Sequence, residues 1–178
     1  DRGPAAAAGR RPHSPRTDGV GGARAGHDGT ASGRGMLRGA LARRWRGARV
    51  EGGRWNSPGT PIVYTSDSAA LAALEMLVHL GRSSALNAYV LIPCTFDETI
   101  ATRLDEKRLP DDWRSSPAPQ SLQVLGDDWA KSRRSAALRV PSVVMAGDSN
   151  FLLNPNHPDF RHVRVLSARP FAFDSRLG

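Results

Sequence analysis

Residues 52–80, GGRWNSPGTPIVYTSDSAALAALEMLVHL, combine a turn, a strand and a helix in one continuous segment. Residues 56–59 (NSPG) predict a tight turn, because proline fixes φ and the glycine after it tolerates a positive φ. The β-branched and aromatic run at 60–65 predicts a strand. A polar cap ahead of leucines at helical spacing predicts a helix over 68–80. The segment therefore holds its polar side chains on rigid local structure.

Outward from this segment, the chain is richer in strand signals than in helix signals. Short apolar runs bounded by turn residues predict strands, and the charged, proline-rich segment 105–120 predicts a surface loop. Acids at one end and arginines at the other predict an amphipathic helix over 127–137. The expected fold is therefore a mixed α+β domain, strand-rich and with few helices. The other expected elements are a basic helix over 36–50, strands over 87–93, 140–146 and 163–173, and a turn over 147–150.

The formal charge of +8 is concentrated in the N-terminal part of the 178-residue chain. Residues 1–55 contain 12 arginines and 4 acids, whereas residues 56–178 contain 13 basic and 13 acidic side chains. Residues 1–35 have almost no large apolar side chains, so burial cannot offset the entropy of ordering them. They are either a disordered basic tail or an over-extended reading frame ahead of a true start at Met36. The folded domain is expected over 36–178.

The sequence also limits the compartment and the kinds of bound group. The single cysteine, Cys94, excludes an internal disulfide framework and fits a reducing compartment. No apolar run approaches the ~20 residues of a membrane helix, and no secretory signal is visible. We therefore expect a cytoplasmic protein that does not contact membranes. No set of His, Cys, Asp and Glu has metal-ligand spacing, so neither a metal nor a prosthetic group is expected.

Four residues are candidates for a catalytic site. Arg54 follows two glycines and carries a guanidinium suited to a phosphate, and Tyr64 ends the predicted strand with a ring that a base can stack on. Glu75 is the lone acid of an apolar helix, where a carboxylate is costly without a function or a partner. Ser142 begins a downstream strand. Together they suit a ligand with a phosphate, a flat ring and a sugar.

Each candidate has a plainer interpretation. Glu75 can be solvated, or paired with His79 four residues on. Arg54 can pack its stem on Trp55, and Tyr64 can be a core residue with a wet hydroxyl. Asn154 and His157, in a proline-flanked segment, are weaker candidates for shaping the same pocket. A hydrolase set of Ser142, His157 and Asp159 lacks a GxSxG elbow.

Four motifs resemble the RES domain family: GARVEGGRWNSPGTPIVYTS (47–66), ALAALEMLVHL (70–80), LRVPSVV (138–144) and NFLLNPNHPDF (150–160). The resemblance implies an ADP-ribosyltransferase-like fold and identifies Arg54, Glu75 and Ser142 with the arginine, glutamate and serine of the family name. The family has an N-terminal strand ahead of the first motif. The Gly/Ala/Arg-rich region here does not resemble that strand, so we expect the strand to be absent.

The resemblance implies a bacterial toxin of a toxin–antitoxin pair that acts on NAD⁺ as substrate. The expected reaction is cleavage at the nicotinamide–ribose bond, with protein ADP-ribosylation and phosphorolysis as alternatives. Arg54 and Tyr64 would bind the dinucleotide, with Asn154 and His157 shaping the pocket. An Xre-type antitoxin is the implied partner, and the resemblance allows a dimer within that complex.

Two further hypotheses remain open. A non-catalytic interaction module would bind nucleic acid through the basic tail or through an antitoxin, with an affinity that falls steeply with salt. A degenerate family member would fold without activity, because its sheet lacks a strand.

Overall fold

The structure, a computed structural model, describes residues 36–42, 45–80, 89–174 and 176. The expected tail at 1–35 lies outside the described residues. Within those ranges the chain forms three α-helices and eight strands. The helices are α1 Trp45–Glu51, α2 Ala69–Leu80 and α3 Gln120–Ser132. The strands are β1 Met36–Ala42, β2 Val63–Ser66, β3 Tyr89–Asp97, β4 Ala101–Arg103, β5 Ala137–Pro141, β6 Ser149–Leu153, β7 Arg164–Val165 and β8 Arg169–Phe171.

The eight strands form one mixed sheet in the order β4-β5-β6-β2-β1-β3-β7, with β8 also paired to β3. The pairing of β4 with β5 is parallel, and the other pairings are antiparallel. The expected mixed, strand-rich α+β class is thereby confirmed. Strands distant in sequence, β2 and β6, are neighbours near the middle of the sheet, and this pairing brings the motif at 47–66 next to the motif at 150–160.

The core lies on both faces of the sheet. Along β5 and β6, Leu138 and Leu152 belong to one apolar cluster, whereas Ala137 and Phe151 belong to the other. This alternation follows from the period of two in a strand, which sends successive side chains to opposite faces. The first cluster also contains Trp129 of α3, so that helix covers one face next to the site.

The expectations for β2, α2 and the loop at 105–120 agree with the structure, but the region before the first motif does not. A helix was expected over 36–50, whereas residues 36–42 form β1 and the helix α1 begins only at Trp45. β1 pairs with β3 along its whole length, so backbone pairing to a distant strand decides its conformation. A strand therefore precedes the first motif, contrary to the expectation of its absence.

In the C-terminal half, the predicted elements exist but their boundaries are displaced along the sequence. The helix expected over 127–137 is α3, which begins at Gln120 and ends at Ser132, and Arg133 follows it with a left-handed φ of 49°. Ala137, expected as the last residue of that helix, instead begins β5, because β5 pairs with both β4 and β6. The strand expected over 140–146 thus begins earlier, and the turn expected over 147–150 ends within β6.

Helix α3 packs against the motif at 47–66 through a glycine. Gly126 is buried, and a Cβ added there would lie 1.8 Å from the backbone oxygen of Trp55. No real Cβ approaches a backbone atom so closely, so any larger residue must push the helix away from the turn that carries Arg54. Asp127 strengthens the same junction, because its carboxylate accepts a hydrogen bond of 3.1 Å from the amide of Ser57.

We expect Gly126→Ala to destabilise the protein by about 2 kcal/mol or more, because overpacking against backbone displaces α3. Helix propensity alone predicts the opposite sign, a gain of roughly 0.5–1 kcal/mol. Urea unfolding followed by circular dichroism measures the difference. Val124→Ala, at a position on α3 that is 52% exposed, is the matched control and should change little. A Gly126→Ala variant as stable as the parent would contradict the close approach.

Candidate functional site

A cavity of about 360 Å³ opens where α2 and the turn after α1 meet the ends of β2, β5 and β6. Arg54, Tyr64 and Glu75 all line it, so three of the four candidate catalytic residues share one cavity. Its wall is more apolar than polar, as is usual for a site that encloses a ring. The other lining residues are Ala48, Glu51, Gly52, Gly53, Trp55, Thr65, Ser66, Ala72, Met76, Val78, Arg114, Ser116, Pro141, Val143, Val144 and Asn150.

Glu75 is the best-anchored polar group of the cavity. It is half-buried on α2, and its Oε1 accepts hydrogen bonds from Ser142 Oγ at 2.9 Å and from Asn150 Nδ2 at 2.7 Å. These donors are neutral, so they hold the carboxylate in place without cancelling its charge. Glu75 is therefore not the solvated surface acid of the plainer interpretation. The side chain of His79, its other suggested partner, lies outside the described residues.

Ser142 and Asn150 are themselves held by hydrogen bonds, Ser142 by backbone amides and Asn150 by a side chain. Ser142 is 1% exposed, and its Oγ accepts hydrogen bonds of 3.1 Å from the amides of Val144 and Met145. Asn150 Oδ1 accepts a hydrogen bond of 2.7 Å from Ser66 Oγ. Ser142 does not line the cavity. Its hydroxyl instead donates to the carboxylate of Glu75, which does line the cavity.

Arg54 links the turn after α1 to the loop at 110–118. Its Nη1 donates to the carbonyl oxygen of Trp113 at 2.7 Å, and its Nη2 donates to that of Ser115 at 3.1 Å. Burial lowers the pKa of Arg54, while the negative charge of Glu75 and the phenol of Tyr64 act in the opposite direction. Arg54 stays charged at neutral pH, because an arginine in a protein does not lose its proton. It therefore supplies positive potential and also holds a loop.

Tyr64 presents its ring to the cavity but uses its hydroxyl for structure. The hydroxyl donates to Asn56 Oδ1 at 2.7 Å and accepts from the amide of Trp55 at 2.9 Å. A Cβ added at Gly53 would lie 2.6 Å from this oxygen, so glycine is needed beside it. Burial raises the pKa of Tyr64 above its ordinary value of 10.0. The neutral phenol thus connects the amide of Trp55 to the side chain of Asn56 by hydrogen bonds.

Asn56, which sequence reasoning missed, is fully buried at the centre of this turn. Its Nδ2 donates to the carbonyl oxygens of Ala48 at 2.6 Å, Thr60 at 3.0 Å and Ser57 at 3.2 Å. One amide side chain therefore joins the end of α1, the tight turn and the hydroxyl of Tyr64. The presentation of Arg54 depends on this junction.

The expectation that Asn154 and His157 shape the same cavity is wrong, because neither lines it. Asn154 is buried and donates to the carbonyl oxygen of Ala130 at 2.9 Å, and His157 Nε2 lies 3.0 Å from the carbonyl oxygen of Arg133. They brace the end of α3 against the end of β6. Asn154 lies four residues beyond Asn150, which is roughly 13 Å along an extended strand.

The hydrolase alternative also lacks its geometry. Ser142 bonds to Glu75, whereas His157 bonds to Arg133 and to the amide of Asp159. The serine and the histidine thus have separate partners.

Asn150 and Arg114, which line the cavity, were also not singled out from the sequence. Asn150 stands where a turn was expected, and only its pairing opposite Ser66 in the sheet reveals its role. Arg114 lies in the segment interpreted as a surface loop, and nothing in its local pattern marks it. Both come from segments far from Glu75 in sequence, so local patterns carried no signal for them.

The described ranges contain neither a metal-ligand group of three or more His, Cys, Asp and Glu, nor a helix long and apolar enough to cross a membrane.

A family model described as "RES domain" matches residues 27–174. This chain belongs to the RES domain family. The RES domain of this chain is 38% identical over 146 residues to "Toxin Res" of Yersinia enterocolitica. This alignment covers 80% of this chain and 95% of the relative. The domain is 39% identical over 134 residues to the "Prs ADP-ribosylating toxin" of a Sphingobium species, covering 74% of this chain and 83% of the relative.

A solved structure has the same fold as this RES domain. A chain of the crystal structure of the M. tuberculosis MbcT-MbcA toxin-antitoxin complex superposes with a TM-score of 0.63. The match covers 78% of this chain and 86% of that chain at 18% identity. At that identity, the likeness shows a common fold.

We expect Tyr64 to titrate late in the folded protein. Its pKa is raised on folding, so its contribution to stability is complete below pH ~10 and is lost as pH rises through the folded value. Alkaline titration of phenolate absorbance, taken as wild type minus Tyr64→Phe, measures this directly. The difference should appear only well above pH ~10. Phenolate from Tyr64 near pH ~10, in protein that circular dichroism shows to be folded, would contradict a buried hydroxyl.

Proposed function

We propose that this RES domain is the toxin of a toxin–antitoxin pair and that it cleaves NAD⁺ at the nicotinamide–ribose bond. The observation that carries the proposal is Glu75, whose carboxylate is held by Ser142 and Asn150 at the wall of a largely apolar cavity. Two relatives named as toxins support the biological role. The fold shared with a chain of a toxin–antitoxin complex supports an antitoxin as partner.

The chemistry of this bond matches what the cavity supplies. Cleavage passes through an oxocarbenium-like state in which positive charge grows on the ribose. The pyridinium leaves as a neutral group, so no general acid is required. A fixed anion beside the ribose stabilises the growing charge, and it acts most strongly where surrounding groups exclude water. Glu75 is the anion in this position, and it also accepts hydrogen bonds from the ribose hydroxyls.

The remaining residues divide the other tasks. The Tyr64 ring forms a wall on which the nicotinamide can stack, since its hydroxyl is already bonded away from the ligand. Ser142 and Asn150 keep Glu75 oriented, which preserves alignment with the reacting carbon. Arg54 adds positive potential for the pyrophosphate and holds the loop at 110–118.

Transfer of ADP-ribose to a protein is the second candidate reaction. The 39% identity to a relative named an ADP-ribosylating toxin favours it. Both reactions break the same bond and use the same groups, and they differ only in whether water or a protein side chain attacks the ribose. Mass spectrometry separates them, because hydrolysis releases free ADP-ribose and transfer leaves it on a protein.

The Xre class of the antitoxin, a dimer and a cytoplasmic location remain predictions. The nucleic-acid hypothesis depends on the charge of residues 1–55, most of which lie outside the described residues. No feature of the described residues favours nucleic-acid binding over a reaction in the cavity.

Removal of the Glu75 charge should abolish most of the activity. We expect Glu75→Gln to lower kcat for nicotinamide release from NAD⁺ on the order of 10²–10³-fold, as loss of one preorganised charge does. Chromatography of released nicotinamide measures it. Glu98→Ala, which removes an exposed acid outside the cavity, is the matched control and should retain wild-type turnover.

Thermal melts of both variants establish that the fold is intact. Equal nicotinamide release by Glu75→Gln and wild type would contradict the proposed role of Glu75. No release by the folded wild-type protein, with or without acceptor proteins, would remove the proposed function itself.

A further inference from the structure

The loop that closes one side of the cavity is pinned at two points around a single arginine. Arg54 donates to the carbonyl oxygens of Trp113 and Ser115, the residues on either side of Arg114. Arg114 lines the cavity, as does Ser116 in the same loop. The two hydrogen bonds therefore fix the backbone from which Arg114 extends, although its side chain is exposed.

The Arg114 side chain also has a support within the loop. Its guanidinium carbon lies 4.6 Å from the centroid of the Trp113 ring, within the range of a cation–π contact. Trp113 is half-buried and packs against the core cluster that contains Trp55 and Leu122. Stacking engages the face of the guanidinium and leaves its N–H groups, which lie in the plane, free to donate.

Among the described residues that line it, the cavity has two acids and two arginines, and the two arginines differ in how their donors are used. Arg54 directs both terminal nitrogens to backbone carbonyls. Arg114 makes no hydrogen bond or ion pair with any residue in the described ranges. A guanidinium has five N–H groups in a planar fork, which match two oxygens of a phosphate. The carboxylate of Glu75 attracts a cationic ring and repels an anionic group, so a separate cation is needed for the anionic part of a ligand.

We propose that Arg114 binds the diphosphate of the dinucleotide and that Arg54 is the positioning residue that holds the loop for it. This inference rests on the proposed function, and it names the residue that recognises the anionic part of the substrate. Binding of the diphosphate by Arg114 and of the ribose by Glu75 would orient the substrate along the cavity.

Calorimetric titration with ADP tests the assignment, because ADP contains the diphosphate and lacks nicotinamide. We expect Arg114→Ala to weaken ADP binding by about tenfold, the usual effect of losing charge-assisted hydrogen bonds to a phosphate. Arg114→Lys keeps the charge without the fork and should fall between the two. Adenosine, which has no phosphate, should bind wild type and Arg114→Ala equally.

Arg108→Ala is the matched control, since it removes an exposed arginine that precedes the same loop and does not line the cavity. It should bind ADP as wild type does. In turnover, Arg114→Ala should raise KM for NAD⁺ by about tenfold with little change in kcat, as loss of uniform binding does.

Each outcome separates the two proposals. Equal ADP affinity of wild type and Arg114→Ala, or a loss in kcat with KM unchanged, would overturn the role of Arg114. Weakened ADP binding together with no nicotinamide release by wild type would remove NAD⁺ cleavage and leave the diphosphate site standing. No ADP binding by wild type would overturn the diphosphate assignment, and nicotinamide release would then show whether the cleavage reaction survives alone.

Discussion

A half-buried carboxylate is stable only where donors satisfy it, and Glu75 obtains its donors from the paired strands β5 and β6. Ser142 follows β5 and Asn150 lies in β6, and the antiparallel register places both beside the same oxygen. Both of these donors are neutral, so neither brings a positive charge to the carboxylate. The helix α2 brings the acid, and the sheet determines where its charge lies.

The turn that carries Arg54 depends on a second polar group, the buried side chain of Asn56. Asn56 joins α1, the tight turn and the Tyr64 hydroxyl through four hydrogen bonds of its side chain. Gly53 and Gly126 allow the close approaches that this junction requires. Without them the turn could not pack between Tyr64 and α3. The chain therefore uses small residues and one buried amide to aim Arg54 at the loop.

Glu75 and Arg114 are held in different ways. Glu75 accepts hydrogen bonds from Ser142, which directly follows β5, and from Asn150 in β6. The loop that carries Arg114 is fixed by two hydrogen bonds from Arg54 and by the packing of Trp113 on the core. Side chains held on helices and strands keep their geometry more precisely than side chains held on loops.

Local sequence determined the elements whose signal is local. The periodicity of residues 68–80 predicted α2, and the chemistry of Arg54, Tyr64 and Glu75 singled out three cavity residues. Tertiary structure decided the rest. β1 is a strand because β3 pairs with it, and Asn150 reaches Glu75 across 75 residues of sequence. Asn154 and His157 lie elsewhere because a strand carries its two ends far apart. Hydrogen bonds between distant segments leave no periodicity in the chain, so only the folded sheet reveals them.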